Sequence, residues 1–237
     1  MGLDIYVIPL WRFLAKDFEF RAEHDGQRLG VPSATVTPDG IIPRPQPPVD
    51  DYRVAMFKRK ARNIAERVEE FNRPAKIQWN DEGECIYGER CVDYGMKSLR
   101  AYALWLCRVD NSTEFARPPE NDFYKHSVWA ARKSKEIRFP HLIDHDCYMS
   151  YYLPCEFKNV TRVEKVLLGG FLKAHVLAAS SLRLREELIE VGASLMSNLG
   201  LNLLHEAQIR NIREAFEQMS TVADLSCQHG LPIAFWG

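Results

Sequence analysis

Neither sign of charge dominates this sequence: 31 Lys+Arg stand against 32 Asp+Glu in 237 residues, a formal net charge of -1. That balance excludes a general polyanion binder and argues against nucleic acid or an anionic membrane as partner. Cysteine is sparse, with 6 in the chain and none in a C-x-x-C pair, which excludes a disulfide scaffold and points to reduced thiols. No apolar run approaches the roughly 18 residues of a membrane span. The opening MGLDIYVIPLW places Asp4 where a secretory signal needs a basic start, and Tyr6 where a myristoylation motif needs Ser or Thr. The expectation is a cytoplasmic protein with no membrane partner. Walker loops, G-x-G-x-x-G and G-x-S-x-G are all absent, and the only Gly-Gly pair, Gly169-Gly170, lies in an apolar run.

What is present is an ordinary globular mix, 46% apolar and 27% charged, enough to build a core without staples. Residues 3–8 read as a strand covered on both faces. The stretch 31–49 holds Pro32, Pro38, Pro43, Pro45, Pro47 and Pro48, so it reads as a long loop or linker. Val54, Phe57, Ala61, Ile64, Val68 and Phe71 alternate steps of three and four, predicting a helix over 51–72 that Asp50 and Asp51 favour and Pro74 stops. Lys58, Arg59, Lys60 and Arg62 cluster on and beside its exposed face. A hairpin is expected from 76–79 to 84–87, helices over 95–109 and 120–135, and extended segments at 136–139 and 147–153. Thr161 and Glu164 form a capping-box pattern before VLLGGFLKAHVLAASSL, which reads as a central buried helix. Gly192 and Gly200 suggest breaks before a final helix near 202–223, and LPIAFWG reads as a docking strand. Together these predict an α+β fold: one compact domain over 1–237, with a mixed or antiparallel sheet packed against about five helices and a helix-rich C-terminal half.

One polar constellation stands out. His141, Asp144, His145, Asp146 and Cys147 follow Pro140 within a few residues, and all are metal ligands or acid/base groups by type. In a strand, His141 and His145 would lie about 13 Å apart, too far for one metal. In a helical turn opened by Pro140 they would lie about 6 Å apart, and Asp144 could orient a ring from behind. Read as extended, His145 and Cys147 share one face and Asp144 and Asp146 the other, which suits a polar loop or a binding rim. His145-Asp146, with His126, His175, His205 and Asp224, resembles the ligand order of the HD-type metal-dependent phosphohydrolases. It departs from them in that tyrosine-rich, strand-like sequence follows the dyad, where those enzymes continue a helix.

MGLDIYV at the start and HDCYMSYYLPCEF in the middle together resemble a group of uncharacterised bacterial proteins with an MGLD-Y opening and an internal H-D-C before a YYLP-like strand. The resemblance covers these two segments and implies an intracellular α+β protein. It carries no activity.

The leading expectation is a non-enzymatic binding protein, accessory, regulatory or immunity-like, contacting its partner through Tyr148, Tyr151, Tyr152 and Asp144. The partner expected is another protein or a small ligand, with nucleic acid disfavoured. The alternative is a metal-dependent phosphohydrolase, with His145 and Asp146 catalytic and His141, His145 and Asp146 holding a divalent metal. No cofactor is favoured otherwise.

Overall fold

The segment LDIYV forms β1 (Leu3–Val7), and its apolar residues on both faces suit the middle of a sheet covered on both sides. The computed structural model describes residues 3–17, 34–37, 40–43, 50–91, 93–109, 138–145, 150–167, 172–199, 201 and 204–236. On one side β1 pairs antiparallel with β4 (Tyr87–Cys91), and on the other with β8 (Ile233–Trp236). Strand β8 pairs antiparallel with β5 (Ser150–Leu153), β5 runs parallel to β7 (Leu172–Ser180), and β6 (Thr161–Leu167) pairs antiparallel with β7. The result is a mixed six-stranded sheet in the order β4-β1-β8-β5-β7-β6, the α+β arrangement expected from the sequence.

Side-chain alternation divides the core in two. Ile5, Val7, Tyr152, Ala179, Ile233 and Phe235 face one way, against α3 (Asp93–Val109), the short α4 (Pro140–Ile143), α5 (Ser181–Met196) and α6 (Glu206–His229). Tyr6, Ile8, Tyr151, Leu153, Ala178 and Ala234 face the other way, against α1 (Leu10–Ala15) and α2 (Asp51–Phe71). Helix α2 starts where the sequence places it, with the Asp50 carboxylate accepting from the Arg53 N–H at 2.8 Å. Its C-terminus is tied to β6 by Asn72, whose side-chain amide donates to Thr161 Oγ1 at 2.7 Å. Phe71, expected on the buried stripe, is exposed. No helix is long and apolar enough to cross a membrane among the described residues.

Three expectations are corrected. The run expected as a central helix forms the antiparallel pair β6 and β7, with Gly169-Gly170 between the two strands. A buried strand and a buried helix read alike as apolar runs, and the pairing of the two segments with each other, and of β7 with β5, decides for the strand. The hairpin over 76–87 does not form, because its backbone donors are engaged elsewhere. Ile77 N–H donates to Glu69 at 2.8 Å and Asn80 N–H to the Gly230 carbonyl at 2.7 Å. Within the proline-rich stretch, β2 (Ala34–Thr37) and β3 (Gly40–Pro43) pair as a separate two-stranded ribbon. The helix expected over 120–135 lies outside the described residues.

Gly192 does not break a helix. It lies inside α5, where a Cβ would sit 2.6 Å from the tip of the Phe216 ring on α6. Gly192→Ala is therefore expected to lower stability by about 1–3 kcal/mol by pushing the two helices apart. Adding Phe216→Leu should restore most of that loss, read from thermal melting of the single and double variants. The residue that does end a helix is Gly230, with φ 64 just past α6.

Candidate functional site

Pro140 opens a helical turn, as its place in the sequence suggests, and α4 runs only to Ile143. So short a helix has little hydrogen bonding of its own, and both of its ends lie in the core. Two ionisable side chains from longer helices hold it. Glu187 on α5 receives the first N–H groups, Oε1 accepting from His141 at 3.0 Å and Oε2 from Leu142 at 2.7 Å. Arg100 on α3 holds the other end, its Nε donating to the Ile143 carbonyl at 3.1 Å and its Nη2 to the same oxygen. An acid at the N-terminus and a base at the C-terminus complement the peptide dipoles of the turn. Burial pushes the Glu187 carboxyl up to about 8, against the two N–H bonds that favour its charged form, with Asp144 and Glu190 adding to the rise. Asp144 caps the turn through its own N–H, which donates to the Pro140 carbonyl at 2.9 Å.

Both histidines face inward. His141 Nδ1 accepts from the Ser180 N–H at 3.0 Å, which leaves Nε2 to donate to the Lys158 carbonyl at 3.1 Å. His145 Nε2 donates to the Tyr151 carbonyl at 3.1 Å, and Ser150 Oγ–H donates to its Nδ1 at 3.2 Å. The neighbours thus fix both rings as the neutral Nε2–H tautomer. Burial is the main reason that His141 titrates down at about 4 and His145 well below its ordinary range. His145 stacks on the Tyr152 ring at 3.7 Å between centroids, and the Tyr152 hydroxyl donates to the His141 carbonyl at 3.0 Å.

This geometry corrects the expected contact surface. Tyr151 and Tyr152 are 3% and 0% exposed, on opposite faces of β5, because helices cover both sides of the sheet. They are core residues. As placed, neither His141 nor His145 presents a ring nitrogen to a metal, since protein atoms occupy all four. Among the described residues, no three of His, Cys, Asp and Glu converge as metal ligands would. The phosphohydrolase-like set is also dispersed: Asp224 is on the surface, paired with Arg185 at 2.5 Å, and His205 is exposed at the start of α6, while His145 is fully buried. Asp146, Cys147 and Tyr148 lie outside the described residues. The five described cysteines, Cys85, Cys91, Cys107, Cys155 and Cys227, are free thiols.

Sequence reasoning missed Glu187 and Arg100. Arg100 did leave a signal: it interrupts Leu99-Arg100-Ala101-Tyr102-Ala103-Leu104, a run apolar on every side, where a charge must face the core.

The outer layers differ in charge. The exposed face of α6 carries Glu206, Glu214, Glu217 and Asp224 against Arg210 and Arg213. On the opposite side of the sheet, α2 carries Arg53, Lys58, Arg59, Lys60, Arg62 and Arg67 against Asp51, Glu66, Glu69 and Glu70. The near-neutral total conceals this separation.

No curated protein and no solved structure matches the chain. One family profile does, over residues 1–235, and its description is written around DNA. That corrects the partner expected from the sequence, another protein or a small ligand with nucleic acid unlikely: the family description replaces that open choice with a partner defined by its relation to DNA. On a match spanning nearly its whole length, the chain belongs to the family described as "Putative DNA-mimic protein".

Proposed function

We propose that the protein is a non-enzymatic binding protein that takes the place of DNA on the surface of a DNA-binding protein. The family match over residues 1–235 carries this reading. With a net charge of -1, the chain cannot imitate a polyanion over its whole surface, so mimicry must be confined to one face. The outer face of α6 is the one that fits, because Glu206, Glu214 and Glu217 are exposed there and make no ion pair among the described residues. Carboxylates outnumber Arg210 and Arg213 on this face, and a rigid helix offers their net negative charge, fixed in place, to a surface evolved for phosphates.

The test is capture from a bacterial lysate on immobilised protein, followed by elution with duplex oligonucleotide. Retained proteins should be released by the duplex, and the variant carrying Glu206→Lys, Glu214→Lys and Glu217→Lys should retain at least about tenfold less of them. These side chains are exposed, so the variant should melt as the wild type does. Retained proteins that duplex DNA fails to displace would count against mimicry, as would direct binding of the duplex by the protein itself.

A further inference from the structure

Strand β6 ends the sheet. It pairs with β7 on one side, and among the described residues no strand pairs with its other side. Such an edge carries main-chain N–H and C=O groups that a further strand can take. The opposite end of the sheet differs. There the Gln218 amide on α6 donates to the Arg90 carbonyl of β4 at 3.2 Å, so a helix side chain already occupies a main-chain oxygen.

Two features say what the β6 edge takes. The first is the order of its residues, Thr161-Arg162-Val163-Glu164-Lys165. When a strand pairs antiparallel with a second copy of itself, the twofold axis stands perpendicular to the sheet and the residue at the axis faces itself. An axis at Arg162, Glu164 or Lys165 would set a charge against its own kind, which destabilises. An axis at Val163 instead sets Arg162 of each copy opposite Glu164 of the other, and valine against valine. Arg162 is exposed and makes no ion pair among the described residues, so this pairing displaces no existing one.

The second feature is Phe71. It is 63% exposed at the last position of α2, beside Asn72, whose amide holds the start of β6 through Thr161. In the register about Val163, Thr161 faces Lys165 of the second copy, so that copy's strand passes the helix end where the ring stands. Thr161 of the two copies lies about 13 Å apart along the pair, which leaves room for both helix ends.

We propose that the protein forms a twofold dimer in which β6 pairs antiparallel with β6 of a second copy about Val163, making one continuous sheet. Reciprocal Arg162–Glu164 pairs flank the axis, and the second copy covers Phe71. Because the axis is perpendicular to the sheet, the two α6 faces lie on the same side of the assembly. The dimer does not depend on those faces mimicking DNA.

Sedimentation velocity of the full chain, from low to high micromolar concentration, tests it. The wild type should sediment as a dimer that salt weakens. Arg162→Glu and Glu164→Arg should each raise the dissociation constant at least about tenfold, by setting like charges opposite each other twice. The double variant, with both signs exchanged, should return to within about threefold of the wild type. Phe71→Ser should raise the constant about threefold to tenfold. Arg162 and Phe71 are exposed, so their variants decide if Glu164→Arg does not fold. The proposal is overturned if the wild type is monomeric at high micromolar concentration, or if Arg162→Glu or Phe71→Ser leaves the constant unchanged. A folded double variant that stays dissociated would overturn it as well. Failure of the DNA-elution experiment alone leaves the dimer standing.

Discussion

Tyr152→Ala is expected to lower the unfolding free energy by about 4 kcal/mol, the scale for removing a fully buried aromatic ring. The ring is 0% exposed, stacked on His145 at 3.7 Å and 6.2 Å from Phe235. Its loss opens a cavity that rigid strands on either side cannot close. Tyr152→Phe separates the ring from its hydroxyl. That change deprives the buried His141 carbonyl of a donor and should cost about 1–2 kcal/mol. The neighbouring Tyr151→Phe should cost almost nothing in stability, because its hydroxyl has no hydrogen bond to lose. Urea denaturation of the three variants checks the set. Equal losses for the two Phe variants would mean that the Tyr152–His141 bond contributes nothing.

The second large effect is a dependence on pH set by the groups around α4. Glu187 titrates at about 8 in the fold against 4.5 ordinarily, so its contribution is complete below 4.5 and is lost as pH rises towards 8. His141 behaves oppositely: it titrates at about 4 in the fold against 6.5 ordinarily, so its contribution is complete above 6.5 and is lost as pH falls towards 4. His145, also shifted down, adds to the loss on the acid side. Two histidines therefore outweigh one carboxyl below pH 6.5, and the carboxyl acts alone above it. Stability should peak near pH 6.5 and fall by about 2 kcal/mol on going to pH 8. In Glu187→Gln the fall from pH 6.5 to 8 should vanish. The variant should still be less stable at pH 6.5 by about 1–3 kcal/mol, since an amide can accept from only one of the two N–H groups with its single oxygen. Parallel slopes for the two proteins between pH 6.5 and 8 would show that Glu187 is already charged in the fold.

The elements legible in the sequence were those whose local pattern and tertiary role agree. Helix α2 announced itself through a 3-4 stripe and an Asp cap, and β1 and β8 through apolar residues with no polar face. The stretch now seen as β6 and β7 misled because its apolar residues satisfy both periods at once, and only the sheet beneath them selects one. At the polar constellation, Pro140 correctly signalled a turn, but the histidines were visible only as residue types. Their meaning came from Ser180 and Lys158, distant in sequence, which take both nitrogens of His141, and from β5, which buries His145. Glu187 and Arg100 lie more than 40 residues from the turn they hold, and no local spacing rule reaches that far. The tyrosines carried the opposite ambiguity. An aromatic suits a contact surface and a core equally, and the helical layers on both sides of β5 decide for the core.

The order of the sheet has a consequence for how the protein is made. Strand β8 lies between β1 and β5, so it joins the pair β4-β1 to the group β5-β7-β6. Until residues 233–236 have emerged from the ribosome, the two halves of the sheet have no strand to connect them. A nascent chain stalled before that point would expose the apolar faces and open edges of both halves. The join between the two halves therefore rests on a strand synthesised after both, which pairs residues 4–7 with residues 233–236.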